Sequence, residues 1–219
     1  MPMVRVKKFV LGPLATNTYI VYDNDAGDAL VVDLGGFSED LAAWIRSLGL
    51  EVRAIVATHG HIDHVYGVDL FKSVFDSVLV IHREDVETLE NNGILCKALS
   101  LDCPSISPDK LIDREGVYRF GSVEVEVIHV PGHTPGSIAI YIPQLNMLLS
   151  GDTLFAGSVG RTDLPGGSEE KLLQSLCRLA KMFKEDTKVL PGHGPATFLG
   201  RELRTNMFLI KAIKVCNEG

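Results

Sequence analysis

Short runs of apolar and β-branched residues recur along the whole chain and predict β-strands. Residues 123–127 read Val-Glu-Val-Glu-Val, a strict alternation that predicts one buried and one solvent-facing side. The predicted strands cover residues 18–22, 29–32, 54–57, 78–81, 123–130, 138–142, 147–149 and 189–190.

Helical patterns fall between these strands. Ser38 is a good N-cap for a helix that ends at Gly49, and Ser168 can cap a second helix. A third helix is predicted over residues 201–215, with an inward face formed by Leu203, Met207 and Ile210.

The alternation of strands and helices in both halves of the chain predicts an α/β layered fold. Residues 83–116 interrupt it with an Asn-Asn-Gly sequence and two prolines, which predicts a short helix followed by a long loop. We expect residues 1–219 to form a single domain, whose two βα-rich halves join near residues 83–116.

Composition narrows the class of protein. The chain is 46% hydrophobic, enough for a well-buried core, and its formal charge of −7 argues against a nucleic-acid partner. Its apolar runs are far shorter than the roughly 20 residues that cross a bilayer, so no membrane partner is expected. The N-terminal sequence MPMVRVKKFV lacks the pattern of a signal peptide. Four scattered cysteines predict free thiols, and with them a cytoplasmic location.

Side chains that can bind metals follow the ends of several predicted strands. The sequence ATHGHIDH at residues 57–64 comes directly after one strand, and Gly-His, Gly-Asp and Gly-His pairs at residues 132–133, 151–152 and 192–193 follow three more. Strand ends line the ligand crevice of open α/β sheets, so we expect these side chains to converge. The candidate ligands are His59, His61, Asp63, His64, His133, Asp152 and His193.

Five imidazoles and two carboxylates are too many for a single tetrahedral zinc, which takes four ligands. They suit two ions that share a bridging carboxylate. His59 and His61 are two positions apart, so in extended backbone they can point to one ion. Asp63 and His64 would then point towards the second.

The sequence HGHIDH at residues 59–64 resembles the HxHxDH signature of the metallo-β-lactamase superfamily. VPGHTPGS at residues 130–137, SGDTLF at 150–155 and PGHG at 191–194 are similar to later motifs of that family, in the same order. Within the superfamily the chain looks like the glyoxalase II-like (hydroxyacylglutathione hydrolase-like) hydrolases. The resemblance implies an αββα sandwich, in which two mixed sheets are flanked by helices and the site lies at one edge of the sheets.

The resemblance also implies a division of the ligands. One ion takes the residues that match His59, His61 and His133, the second takes those that match Asp63, His64 and His193, and Asp152 matches the bridging carboxylate. In the family a metal-bridging hydroxide attacks a carbonyl carbon. We therefore expect two divalent ions per chain, zinc first, although histidine and carboxylate also accept iron or manganese. Asp63 is the candidate catalytic residue, as a ligand and as the acceptor that orients the water.

The predicted substrate is a small-molecule thioester or ester of the hydroxyacylglutathione type. Arg161 matches a basic residue that contacts the glutathione carboxylate in glyoxalase II, and a guanidinium suits a carboxylate. The chain departs from that family at Asp163, where glyoxalase II has tyrosine, and at Gly194-Pro195, where it has Glu-Tyr.

Three other functions stay open. A persulfide dioxygenase of the same superfamily would hold a single iron on the residues that match His59, His133 and Asp152. A lactamase is disfavoured because no signal-peptide pattern and no cysteine ligand is present. A structural metal site is disfavoured because such sites usually use cysteine-rich sets of four ligands.

Two further histidines are predicted to lie outside the ligand set. His82 precedes a charged segment, which predicts a solvated surface side chain. His129 lies inside the alternating strand, which favours either a hydrogen-bonded core histidine or one that supports the ligands, over a ligand itself.

Overall fold

The computed structural model describes residues 3–218 of the chain. The strands are β1 (Val4–Leu11), β2 (Thr16–Asp23), β3 (Asp28–Val32), β4 (Glu51–Val56), β5 (Leu79–His82), β6 (Lys110–Ile112), β7 (Gly116–Phe120), β8 (Val123–His129), β9 (Ile138–Ile142), β10 (Met147–Gly151), β11 (Leu154–Phe155), β12 (Ser158–Val159), β13 (Lys188–Pro191) and β14 (Thr197–Phe198). The helices are α1 (Glu39–Ser47), α2 (Ile62–Val65), α3 (Val68–Val74), α4 (Val86–Glu90), α5 (Gly93–Leu99), α6 (Glu169–Met182), α7 (Leu199–Thr205) and α8 (Met207–Glu218).

Most strands belong to one of two six-stranded mixed sheets. The first has the order β1-β2-β3-β4-β5-β6, and the second has the order β14-β13-β10-β9-β8-β7. Strands β3 to β6 pair in parallel, whereas β1 and β2 are antiparallel to their neighbours. In the second sheet β10 and β13 pair in parallel, and the other neighbours pair antiparallel. Strands β11 and β12 form a small hairpin.

The two sheets pack face to face through an apolar layer. Along β2, Tyr19 and Val21 pack into this layer, while Ile20 and Tyr22 pack into the layer on the opposite face of the sheet. Successive side chains of a strand point to opposite faces, so a strand between two layers is buried throughout, as all of β2 is.

Helices cover the outer faces of both sheets. Leu41 and Ile45 of α1 and Phe71 of α3 pack on the first sheet. Leu179 of α6 packs on the second sheet against residues such as Leu148. The order of layers is therefore helix, sheet, sheet, helix, which confirms the predicted αββα fold class.

The first two predicted helices are present with their predicted caps. The Ser38 side chain accepts a hydrogen bond from the Leu41 amide at the start of α1, and Ser168 accepts one from the Lys171 amide at the start of α6. Each hydroxyl satisfies an amide that the first helical turn leaves without a partner.

The third predicted helix is wrong in its continuity and at Met207 of its inward face, whereas Leu203 packs against the core as predicted. Asn206 interrupts it, because its backbone is extended (φ −83°, ψ 108°) and its Oδ1 accepts from the amides of Phe208 and Leu209, which caps α8. The break changes the side of the helix that faces the core. Met207 is consequently 72% exposed, whereas Leu209 is buried.

Residues 83–116 contain more regular structure than predicted. A 3₁₀ turn at Arg83–Asp85 leads into α4 and α5, and a loop then leads into β6, which pairs with β5. The pairing with β5 gives β6 its extended form, and the apolar runs of the sequence alone did not predict it.

The prediction of free thiols is wrong for the structure. Cys96 of α5 is bonded to Cys103 in the following loop, and Cys177 of α6 is bonded to Cys216 of α8. The second pair is separated by 39 residues and forms because α6 and α8 pack side by side. Such pairing depends on tertiary packing, so scattered positions in the sequence do not reveal it.

Among the described residues, none of the helices is both long enough and apolar enough to span a bilayer. The assignment of all 219 residues to one domain stays a prediction.

Candidate metal centre

Four strands lead into the candidate ligands. Strand β4 ends at Val56, β8 at His129, β10 at Gly151 and β13 at Pro191, and each is followed by ligand candidates within a few residues. The structure brings all seven candidates together, as the positions after strand ends led us to expect.

Three imidazoles form a first donor group. The Nδ1 atom of His61 lies 3.0 Å from Nε2 of His133, which lies 3.2 Å from Nε2 of His59. The backbone at His61 is extended (φ −67°, ψ 144°), so His59 and His61 face the same point. All three side chains are buried.

A carboxylate and two imidazoles form a second donor group. The Nε2 atom of His193 lies 3.2 Å from Nε2 of His64 and 3.2 Å from Oδ2 of Asp63. Asp63 and His64 lie in α2, a single helical turn that begins directly after His61. This change from extended to helical backbone directs Asp63 and His64 to a different point from His61.

Asp152 lies between the two groups. Its Oδ2 atom is 3.8 Å from Nε2 of His133 and 3.6 Å from Nε2 of His193, and its Oδ1 atom is 3.4 Å from Nε2 of His64. Gly192 allows this position, because a Cβ atom there would lie 2.2 Å from Asp152 Oδ1. One carboxylate therefore faces both donor groups.

The donor types and their spacing fit divalent metal ions. Nitrogen ligands about 2.0–2.1 Å from a tetrahedral zinc are roughly 3.3 Å from one another. The nitrogen–nitrogen separations of 3.0–3.2 Å in both groups are close to that value. Asp152 Oδ1 is buried and makes no hydrogen bond of good geometry, as suits an oxygen whose partner is a metal ion.

Two histidines of the first donor group, His59 and His61, favour the neutral imidazole. Burial, together with the neighbouring His133, lowers the pKa of His61 to about 3. Burial and the surrounding histidines lower the pKa of His59 well below its ordinary value. Neutral imidazoles are the form that binds a metal ion.

The second donor group favours protonated imidazoles. Burial acts to lower the pKa of His64, but Asp33, Asp152 and Asp63 outweigh it and raise that pKa well above its ordinary value. Burial likewise acts to lower the pKa of His193, and its hydrogen bond with Asp63 raises it on balance. An ion that binds here must displace protons.

The motifs that carry this geometry match a known family. Residues 11–193 match the family model described as the Metallo-beta-lactamase superfamily. The chain belongs to the metallo-β-lactamase superfamily.

Curated relatives in this superfamily cover nearly the whole chain. A probable metallo-hydrolase, YqgX, of Bacillus subtilis is 32% identical over 93% of this chain and 96% of that protein. The hydroxyacylglutathione hydrolase GloC of Haemophilus influenzae is 32% identical over 88% of this chain and 92% of that protein. The chain is thus similar to metallo-hydrolases of the superfamily.

Solved structures of superfamily members confirm the fold. BLEG-1, a B3 metallo-β-lactamase, is 36% identical with a TM-score of 0.86, over 94% of this chain and 99% of that chain. TTHA1623, solved in a di-iron-bound form, is 39% identical with a TM-score of 0.83, over 92% and 99%. ETHE1 from Myxococcus xanthus is 21% identical with a TM-score of 0.76, over 97% and 91%, and shares the fold.

Asp33 contacts His64 of the second donor group on the ring nitrogen that faces away from the other candidate ligands. Its Oδ2 atom lies 2.9 Å from Nδ1 of His64, and its Oδ1 atom accepts a hydrogen bond from the Thr58 amide at 2.7 Å. Its backbone has φ of 55°, an uncommon conformation for a residue other than glycine. Our site prediction did not include Asp33, although it follows β3 as the ligands follow their strands.

Backbone carbonyls fix the ring orientation of two more candidate ligands. His133 Nδ1 lies 2.7 Å from the carbonyl oxygen of Arg161, and His193 Nδ1 lies 3.2 Å from that of Leu14. Each Nδ1 can donate to its carbonyl, which leaves Nε2 free to bind an ion.

Asp85 braces the two histidine loops and was missed in the sequence. It is fully buried, and its carboxylate accepts from the amides of Gly60 (2.6 Å) and Gly136 (2.7 Å) and from the Thr134 hydroxyl (2.8 Å). Gly60 lies between His59 and His61, and Thr134 follows His133. In the sequence Asp85 is part of a charged segment, which gave no sign of burial.

Asn92 fixes the same loop from its other side. Its Oδ1 atom accepts from the Ile62 amide and its Nδ2 atom donates to the Gly60 carbonyl, both at 2.8 Å, so hydrogen bonds hold the backbone on either side of His61. Residues 83–116 therefore position the first donor group.

An open cleft of about 370 Å³ lies over the donor groups. Its walls include Leu14, Leu95, Phe155 and Leu164, together with Arg161. The Arg161 guanidinium makes two 2.7 Å hydrogen bonds to the carboxylate of Asp163, and both side chains are exposed.

The two remaining histidines stack on each other. The prediction of a solvated His82 is wrong, because it is only 5% exposed and its ring stacks on His129 with centroids 4.3 Å apart. His129 Nε2 lies 2.8 Å from the carbonyl oxygen of Pro135, two residues after His133. That contact agrees with the prediction that His129 is hydrogen-bonded and is not a ligand.

Proposed function

We propose that the chain is a binuclear metal-dependent hydrolase that cleaves small-molecule thioesters. The observation that carries the proposal is the pair of adjoining donor groups, with Asp152 facing both, beneath an open cleft. A structural site needs only one closed set of four ligands, whereas this arrangement leaves space for a substrate.

Two divalent ions would be held by the seven residues in the division that the family resemblance implies. The first group is His59, His61 and His133, the second is Asp63, His64 and His193, and Asp152 joins them. When bound, such ions lower the pKa of water towards neutrality and polarise a carbonyl group. Zinc is the proposed metal, and the di-iron form of TTHA1623 keeps iron as the alternative.

Asp63 is the proposed catalytic residue. Burial acts to raise its pKa, but His64 and His193 outweigh it and hold that pKa below its ordinary value. The carboxylate is therefore ionised at neutral pH. One oxygen can bind an ion, and the carboxylate can accept a hydrogen bond from the attacking water and so orient it.

The thioester substrate is supported by the similarity to GloC, a hydroxyacylglutathione hydrolase. Arg161 is the proposed contact for a carboxylate in the thiol-bearing part of the substrate, such as that of glutathione. Asp163 competes with the substrate for the same guanidinium. An exposed ion pair contributes little net free energy in water, so a substrate carboxylate can replace Asp163. Asp163→Asn should then lower KM for an acidic thioester a few-fold, and Arg161→Ala should raise it.

Elemental analysis of the purified protein and turnover of S-lactoylglutathione beside simpler thioesters test the proposal. We expect about two ions per chain and hydrolysis that a chelator abolishes and added zinc restores. A fully loaded protein that hydrolyses none of these thioesters would refute the proposed reaction.

A second candidate is β-lactam hydrolysis, because BLEG-1 is named a B3 metallo-β-lactamase at 36% identity. A chromogenic cephalosporin assayed beside the thioesters separates the two activities. The single-iron dioxygenase would use only His59, His133 and Asp152, and it would leave the second donor group without a role. One iron per chain, with oxygen consumed in the presence of glutathione persulfide, would favour it.

The cytoplasm remains the proposed location. The two disulfides remove the free-thiol reasoning behind it, so alkylation of thiols before lysis is the direct test. A small-molecule substrate, without nucleic acid or membrane, remains the proposed partner.

A further inference from the structure

A small apolar slot of about 50 Å³ adjoins the cleft beside the first donor group. His61, Leu95 and Leu164 line both the cleft and the slot, so the two spaces are next to each other. Ile94 and Pro165 complete the apolar walls of the slot. Ile94 is 70% exposed, which leaves apolar surface for a ligand to cover.

Most of the hydrogen-bonding atoms of Asn92, Asn91 and Thr88, which line the slot, already have partners within the protein. Asn92 donates to the carbonyls of Gly60 and Leu89 and accepts from the Ile62 amide. Asn91 donates to a carbonyl of α4, and the Thr88 hydroxyl faces Asp85. A ligand in the slot therefore meets mainly hydrocarbon.

Charge separates the slot from the cleft. In the described part of the chain, no lysine, arginine, aspartate or glutamate lines the slot, whereas Arg161 lines the cleft. If the charged thiol-bearing part of the thioester entered the slot, its charges would lose their hydration without gaining a partner. The charged part of the substrate should therefore stay in the cleft, and the acyl part is left to occupy the slot.

We propose that the substrate carries an unbranched apolar acyl chain of a few carbons, which lies in this slot. The inference rests on the proposed thioester hydrolysis and names its acyl class. A 2-hydroxyacyl group such as lactoyl would bring a hydroxyl to a wall that is mainly hydrocarbon.

The test compares S-acetyl-, S-butyryl-, S-hexanoyl- and S-lactoylglutathione, which share one thiol, on the zinc-loaded protein. We expect kcat/KM to rise about fourfold for each methylene until the slot is filled, and lactoyl to fall below butyryl. Leu164→Asn should reduce the hexanoyl-to-acetyl ratio. Leu70→Asn, at a 54% exposed position of α3 that lines neither cleft nor slot, should leave that ratio unchanged.

Calorimetric binding of hexanoate and lactate to the loaded protein gives a readout that does not require turnover. If hexanoate binds more tightly than lactate and Leu164→Asn weakens that binding, the result supports the slot as the acyl site. If no thioester is cleaved in that case, only the proposed reaction is wrong. Turnover that is independent of chain length or is best with lactoyl overturns the acyl preference, and the hydrolase proposal stands. If no thioester is cleaved and hexanoate and lactate bind equally well, both the acyl preference and the proposed hydrolysis are wrong.

Discussion

Asp85 offers a sharp test of how the donor groups are held. The substitution Asp85→Asn keeps the size of the side chain but replaces one carboxylate oxygen with an amide NH2. In the structure the carboxylate accepts from two buried backbone amides, those of Gly60 and Gly136, and from the Thr134 hydroxyl. The amide NH2 can accept none of these bonds. The variant therefore leaves at least one buried donor without an acceptor.

The expected loss of stability follows from these contacts. An unsatisfied buried donor costs about 1–3 kcal/mol, and hydrogen bonds to a charged group exceed those to a neutral one by about 1 kcal/mol. The desolvated carboxylate offsets part of this loss, because burial raises the pKa of Asp85 above its ordinary value. We expect a net destabilisation of about 3 kcal/mol, which lowers Tm by roughly 6–12 °C in a protein of this size. Loss of such a support typically weakens metal binding by about 10–100-fold.

The assay combines thermal unfolding of the metal-free protein with zinc titration against a chromogenic chelator. Glu84→Gln is the matched control, since Glu84 precedes Asp85 and is exposed. We expect the control to match the wild type in both measurements. If Asp85→Asn has the same Tm as the control and a zinc affinity within twofold of the control's, the bracing role of Asp85 is wrong.

Three further outcomes are expected. His61→Ala should sharply reduce metal content by elemental analysis and abolish hydrolysis while the circular dichroism spectrum is retained; unchanged turnover would exclude the binuclear mechanism. Loading of the metal-free protein near neutral pH should release protons mainly from His64 and His193, whose pKa values are raised, and titration calorimetry in buffers of different ionisation enthalpy measures that release. Equal proton release from wild type and His193→Ala would contradict it. Burial acts to raise the pKa of Asp28, but the hydrogen bond from Arg53 outweighs it and lowers that pKa below 3.8. The ionised Asp28 therefore stabilises the folded protein above pH 3.8, and this stabilisation is lost as the pH falls through the lower pKa of the folded state. In denaturant melts of the metal-free protein between pH 2 and 6, the free energy of unfolding of Asp28→Asn should therefore fall less with acid than that of the wild type. Identical pH profiles of the two proteins would refute this account.

The residues that converge at the centre could be predicted from the sequence. Each candidate ligand follows a strand end by at most eight residues, and strands such as β8 were recognisable because Val123 and Val125 alternate with half-exposed glutamates. Short-range pattern also predicted the helices capped by Ser38 and Ser168. These features depend on neighbouring residues, whose spacing is visible in the chain.

The edge strands β1 and β7 depended on the tertiary structure. Many of their side chains are exposed or half-exposed, so no buried apolar run marks them. Pairing with β2 and β8 holds them in extended form. The same long-range dependence applies to the break at Asn206, whose Nδ2 atom donates to the carbonyl of Ser158.

The sequence by itself determined which side chains could bind metals and the α/β class of the fold, and its family resemblance implied the αββα layers. Only the tertiary structure decided that Asp85 and Asn92 hold the His59–His61 loop, and that α5 and Leu164 form an apolar slot beside it. A ligand motif is a local pattern of residue types. A buried brace or a slot exists only where segments distant in the chain meet, and the energies that position them come from those contacts.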